Sequence, residues 1–292
     1  MFEIEREIAS QPDVWAQAAD LASSGDLPLP GRSEHVVALG CGTSWFVAQA
    51  YEARRAELGA GTTDAYTPTE LPAGRSYEHA VAISRSGTTT EVVRIVERLA
   101  EERVPTTAIT AVGDSPVAEA SGEAVVLGFA DERSVVQTRF ATGALALLRA
   151  HLGEDLSDAI GDGRRSVKDV LPVDPSGLDH FVFLGHGWTV GLAHEAALKL
   201  REAAQATTES YPAMEYRHGP VSLAGPGSLV WILGTPDASI ADDIAATGAT
   251  VRVADRDPMA ELILIQRMAV ALAIGKGLDP DHPRHLTRSV ML

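Results

Sequence analysis

The stretch HVVALGCGTSWFVAQAYEARRAEL (residues 35–58) opens on the apolar run VVALG, turns through Gly40 and Gly42, and continues as a helical pattern. The same design returns in DHFVFLGHGWTVGLAHEAALKLREA (residues 179–203), where FVFLG ends on Gly185 and the chain turns through Gly185 and Gly187. Two copies of a strand–turn–helix unit imply a duplicated architecture. Further short apolar runs at 80–84, 106–110, 124–128, 229–234 and 250–254 read as strands, with helical periodicity between them. Strands alternating with helices predict α/β units in which a parallel sheet is covered on both faces. The organisation expected is an N-terminal helical segment over 1–30, a first unit over 31–155, a second over 172–280, and a tail over 281–292. The link near 152–178 contains GDGRRS and LPVDPSG and reads as turn-rich. TTESYPAMEYRHGP (207–220) reads as a long polar loop carrying Glu209, Glu215 and His218.

The segment VAISRSGTTTEVVRIVERLA (81–100) places small hydroxyl residues between a buried strand and a helix. Ser84, Ser86, Thr88 and Thr89 surround Gly87, with Arg85 between the two serines. Free N–H groups at a helix start, hydroxyls at its sides and a glycine that admits close approach are what an oxyanion needs. An ordinary helix cap would need one hydroxyl. The same logic covers Thr43 and Ser44 in GCGTS. Nucleotide motifs fit less well. The third glycine of the dinucleotide fingerprint is replaced by Trp45, and no lysine stands where a Walker A loop requires one.

On the second predicted helix, Glu195, Lys199 and Glu202 recur at spacings of four and three and share one face. A solvated ion-pair stripe is one reading of that pattern. A carboxylate working with a histidine in proton transfer is the other.

Net charge is −16, from 40 acidic and 24 basic residues, which disfavours nucleic acid and anionic membranes as partners. No apolar run stands out as long enough to span a bilayer, and the acidic start lacks the apolar core of a signal peptide. The single cysteine, Cys41, fits a reducing cytoplasm. The nine histidines show no zinc-ligand spacing, and His282 and His285 read as part of a surface loop.

The blocks GCGTS, ISRSGTTTE, SVVQTRFAT, EAALKLREA, ESYPAMEYRHGP and PRHLTRSV, in this order, resemble the sugar isomerase (SIS) family. Within it they are similar to the isomerase half of glucosamine-6-phosphate synthases. The resemblance implies two SIS domains, each a flavodoxin-like parallel sheet in an α/β/α sandwich. It implies that Ser44, Ser84, Ser86 and Thr89 hold a sugar phosphate. Glu202 would move a proton between C1 and C2, with Glu195 and Lys199 on the same helix, and His218 would assist ring opening from a neighbouring subunit of a homodimer. Arg85 stands where the synthase has glutamine and could add a charged contact to the phosphate.

Where the synthase's tail has an imine-forming lysine, this chain has Arg288, whose guanidinium stays protonated but could bind a sugar hydroxyl or carbonyl oxygen. The 292 residues also contain no glutamine-hydrolysing domain, so amidotransferase chemistry is not expected. What remains is an enzyme acting on a hexosamine 6-phosphate such as glucosamine 6-phosphate or its N-acetyl form. Removal of the C2 proton leads either to isomerisation with loss of ammonia or to elimination of the C3 hydroxyl. Neither route calls for a metal or organic cofactor. A sugar-phosphate sensor or a non-catalytic partner subunit is the alternative.

Overall fold

The computed structural model describes residues 1–234, Asp237 and residues 239–292. Among the described residues, nine strands form two all-parallel sheets. The first contains β1 (Val36–Leu39), β2 (Thr63–Tyr66), β3 (His79–Ile83), β4 (Thr106–Thr110) and β5 (Gly122–Val126), in the order β2-β1-β3-β4-β5. The second contains β6 (His180–Gly185), β7 (Thr207–Pro212), β8 (Ser228–Ile232) and β9 (Thr250–Val253), in the order β7-β6-β8-β9. Both orders reverse direction beside their first strand, the flavodoxin-like pattern. The α-helices are α1 (Glu3–Ser23), α2 (Thr43–Glu57), α3 (Thr90–Glu101), α4 (Pro116–Ser121), α5 (Arg139–His151), α6 (Ser157–Lys168), α7 (Thr189–Ala204), α8 (Ser239–Ala245) and α9 (Pro258–Gly275).

The chain divides into two compact units. One comprises Met1–Pro12 and Ser157–Leu286, the other Asp13–Leu156 and Thr287–Leu292. Each has its own apolar core. In the unit of the first sheet, Val37, Leu39, Ala80 and Ala82 pack with Val92, Val96 and Leu99 of α3. In the other, Val182, Leu184, Val230 and Ile232 pack with Ile240 and Ile244 of α8. The central strands read as continuous apolar runs because both of their faces are buried.

The repeated glycine turn does the same job in both units. A Cβ on Gly40 would lie 2.6 Å from the backbone of Ser44, and one on Gly185 would lie 2.4 Å from Thr189 O. Gly42 and Gly187 adopt φ of +54° and +55°. Only glycine lets each strand bend this tightly into its helix.

Three expectations are corrected. Thr207–Pro212 is a strand, β7, paired with β6 from His180↔Thr207 to Gly185↔Pro212, so Glu209 lies on a sheet edge and not in a loop. The strand is polar and half-exposed, and its pairing comes from its neighbour more than from its own pattern. GDGRRS lies inside α6, where Arg267 of α9 donates to the carbonyls of Ser166 and Asp169 at 2.5 and 2.7 Å and fixes the helix end despite its glycines. Finally, α9 is 18 residues long and apolar enough by composition to cross a membrane, although 72% of it is buried within the fold.

Candidate functional site

Side by side in the first sheet, β1 and β3 carry their connections to opposite sides, and their C-terminal ends open a crevice. The loops leaving them, 40–43 and 84–89, furnish its walls. Ser44, Ser84, Ser86 and Thr89 line one cleft together with Cys41, Arg85, Gln137 and Arg288. The loop after β3 is held from behind. Arg85 O accepts from Ala111 N at 3.0 Å and from Thr110 Oγ1 at 3.2 Å, and Gly87 O accepts from Val117 N at 3.0 Å.

Thr89 is the N-cap residue of α3, yet its side chain makes no capping hydrogen bond, and it lines the cleft instead. The plain helix-cap explanation of the hydroxyl run therefore does not account for it. Thr43 is buried at the start of α2, and the Thr88 hydroxyl is hydrogen-bonded with Ser86 Oγ (3.0 Å) and Ser289 Oγ (2.9 Å); neither lines the cleft. The Cys41 thiol is pushed up to about 11 by burial and by the charge of Glu91, so it is protonated at neutral pH.

The two arginines of the cleft are committed to the protein. Arg85, only 2% exposed, donates to Ser134 O (3.1 Å), Val135 O (3.4 Å) and Arg288 O (3.0 Å), and lies 3.7 Å from the Glu132 carboxylate. Its guanidinium is directed at main-chain carbonyls, where the sequence suggested a contact to an anion. Arg288 pairs with Asp131 and donates to Glu132 O. The tail lies along the loop: Thr90 N donates to Val290 O at 3.2 Å, and Leu292 N donates to Thr90 Oγ1 at 3.0 Å. With the tail there, the cleft encloses a cavity of about 30 Å³.

In the other unit, α7 presents Glu195, Lys199 and Glu202. Glu195 and Lys199 are 2% and 1% exposed, which removes the solvated-stripe reading for both. The Lys199 ammonium lies 2.6 Å from Glu202 Oε2 and 3.4 Å from Glu195 Oε1. A buried ammonium is tolerable only with such partners, and the short contact fixes the Glu202 carboxylate, whose side chain keeps 20% exposure. His218 ends the 3₁₀ turn Ala213–His218, is exposed, and makes no side-chain hydrogen bond or ion pair among the described residues. The structure thus groups Ser44, Ser84, Arg85, Ser86, Thr89 and Arg288 in one unit and Glu195, Lys199 and Glu202 in the other.

Gln137 is the cleft residue that the spacing of sequence motifs does not single out. It lies within the SVVQTRFAT block, but a lone glutamine between apolar residues and a threonine carries no local signal of function.

Residues 32–149 match the family model described as SIS domain. The isomerizing glutamine–fructose-6-phosphate aminotransferase of Sulfurisphaera tokodaii is 26% identical over 89% of this chain and 50% of its own length. This chain spans about half the length of such curated relatives. Among solved structures, a glucosamine-6-phosphate deaminase from Thermotoga maritima aligns with a TM-score of 0.84 and 25% identity, covering 99% of this chain and 100% of the other. A tagatose-6-phosphate ketose/aldose isomerase from Escherichia coli aligns with a TM-score of 0.78 and 21% identity, covering 97% and 96% of the two chains, a likeness of fold. The match to the SIS domain model is confined to residues 32–149, and the similar proteins named above are phosphosugar-processing ones.

Proposed function

We propose, from the match of residues 32–149 to the SIS domain family, that the chain is an enzyme converting a hexosamine 6-phosphate by aldose–ketose isomerisation with release of ammonia. The observation that carries this reading is the hydroxyl-lined cleft at the start of α3, where Thr89 lines the cavity and does not cap its own helix. Backbone N–H groups at that helix start and the hydroxyls of Ser44, Ser84, Ser86 and Thr89 are assigned to the phosphate. A cavity of about 30 Å³ holds roughly two waters, so phosphate entry requires the tail around Arg288 to shift.

Glu202 is assigned the C2 proton. Removal of that proton from the open-chain aldose and its return at C1 give a ketimine, which water converts to a ketose phosphate and ammonia. Lys199 holds the carboxylate at 2.6 Å, and Glu195 shares the charge of the ammonium. His218, exposed and without a side-chain hydrogen bond or ion pair among the described residues, is assigned to ring opening in a neighbouring subunit, so the active form is at least a homodimer. Deamination is favoured over C3 elimination by the end-to-end likeness to a glucosamine-6-phosphate deaminase. The matching strand order supports reading the second sheet as a diverged copy of the first.

The test is an NMR panel of glucosamine 6-phosphate, its C4 epimer and their N-acetyl forms, with ammonia measured in parallel. A ketose phosphate with stoichiometric ammonia is the expected result. An alkene signal from the N-acetylated sugars would replace deamination by elimination, and binding without turnover would replace the enzyme by a sensor.

A further inference from the structure

Gln137 combines two features. Its Oε1 is buried and has no hydrogen-bond partner among the described residues, and the residue lines the hydroxyl cleft. The chain on either side of it is fixed. Before it, Arg85 donates to the carbonyls of Ser134 and Val135 at 3.1 and 3.4 Å, and Ser134 Oγ donates to Val136 O at 2.8 Å. After it, Glu132 Oε1 accepts from Thr138 N at 2.6 Å, Thr138 Oγ1 at 2.8 Å and Arg139 N at 2.8 Å. A buried carbonyl without a donor is costly, and it stands on a frame that does not relax to supply one. That is how a ligand-reading group is built: rigid support and one unmet acceptor.

On the reading of the cleft as a phosphosugar site, we propose that Gln137 is a specificity-determining residue whose side-chain carbonyl accepts a hydrogen bond from a hydroxyl of the bound sugar. The donor must come from the ligand's carbon chain. A phosphate dianion carries no donor, and on the proposed reading the cleft's own hydroxyls are assigned to the anion. The ligands favoured are therefore phosphate monoesters with a hydroxyl near the phosphate-bearing carbon. A half-turn of the amide would present Nε2 instead, and a donor there would serve the phosphate itself.

Two variants of the full chain separate these roles. Gln137→Met keeps the shape and removes both polar ends, while Gln137→Glu keeps an acceptor and removes the amide donor. The probes are inorganic phosphate and 2-amino-2-deoxyglucitol 6-phosphate, a reduced sugar that cannot react, titrated calorimetrically. The readout is the ratio of the two dissociation constants, in which an added charge near the anion largely cancels. Gln137→Met should reduce the preference for the sugar phosphate about tenfold, the loss of one hydrogen bond in a desolvated site. Inorganic phosphate should bind this variant as it does the wild type, which also reports an intact cleft. Gln137→Glu should keep the preference within about threefold of wild type. An unchanged ratio in Gln137→Met overturns the proposal. An equal loss in both variants overturns it too, because it would assign the donor end to the ligand. A wild-type chain that binds neither probe would instead remove the phosphosugar reading on which the proposal rests.

Discussion

Gly87→Ala isolates how the hydroxyl loop is shaped. Gly87 sits at φ +65°, and a Cβ there would lie 2.0 Å from Ser115 Oγ, 2.3 Å from Ser115 Cβ and 3.2 Å from Thr110 Oγ1. The left-handed backbone costs an L-residue about 1–2 kcal/mol. The collision with Ser115, a buried residue, adds an overpacking cost of about 1–3 kcal/mol. The sum, about 2–5 kcal/mol, is a large part of a domain's stability. Because Arg85 O and Gly87 O are pinned to β4 and α4, the strain should be relieved by displacing Ser86 and Thr89 from the cleft. Ser115→Gly removes both short contacts and leaves the φ penalty, so the double variant should recover the overpacking share and remain about 1–2 kcal/mol below Ser115→Gly alone. Urea denaturation of the four members of this cycle measures the stabilities, and calorimetric titration with phosphate measures the cleft. Wild-type stability and phosphate affinity in Gly87→Ala would refute the reasoning. A double variant no better than Gly87→Ala would refute the role given to Ser115.

Glu202→Gln should lose about 10²–10⁴-fold in turnover of glucosamine 6-phosphate with little change in phosphate affinity; normal turnover would move the base elsewhere, with Glu195 next in line. His79, His151 and His194 all have pKa values lowered from 6.5, in each case chiefly by burial, with a nearby arginine adding to it and, at His79, Glu34 opposing it. The unfolded chain therefore takes up protons near pH 6.5 that the folded chain refuses, so stability is full above that pH and declines as pH falls below it. Thermal melts should show a lower Tm at about pH 5.5 than at about pH 7.5, and His194→Gln should flatten the dependence. With its thiol near 11, Cys41 should react with iodoacetamide at about pH 8 on the order of a hundredfold more slowly than an open cysteine, and unfolding in urea should abolish the difference.

The strand–glycine–helix units, the buried central strands and the position of the hydroxyl loop are local features, and the sequence determined them. Apolar run length, glycine placement and helical period act within a dozen residues, so Val36–Leu39, His79–Ile83 and His180–Gly185 are legible where they stand. The polar edge strands Thr63–Tyr66 and Thr207–Pro212 are not, because an edge strand is specified by the ladder it joins. Nor is α6, whose glycines are overruled by its packing and by Arg267. Charges show the same division. Spacing places Glu195, Lys199 and Glu202 on one face, but only the packed chain decides that two of them are buried. Arg85 reads as a free cation beside two serines until segments 49 and 203 residues away bring carbonyls to it. The same convergence leaves Gln137 with an unmet acceptor. What surrounds a polar group is set by chain segments distant in sequence, and no local pattern encodes it.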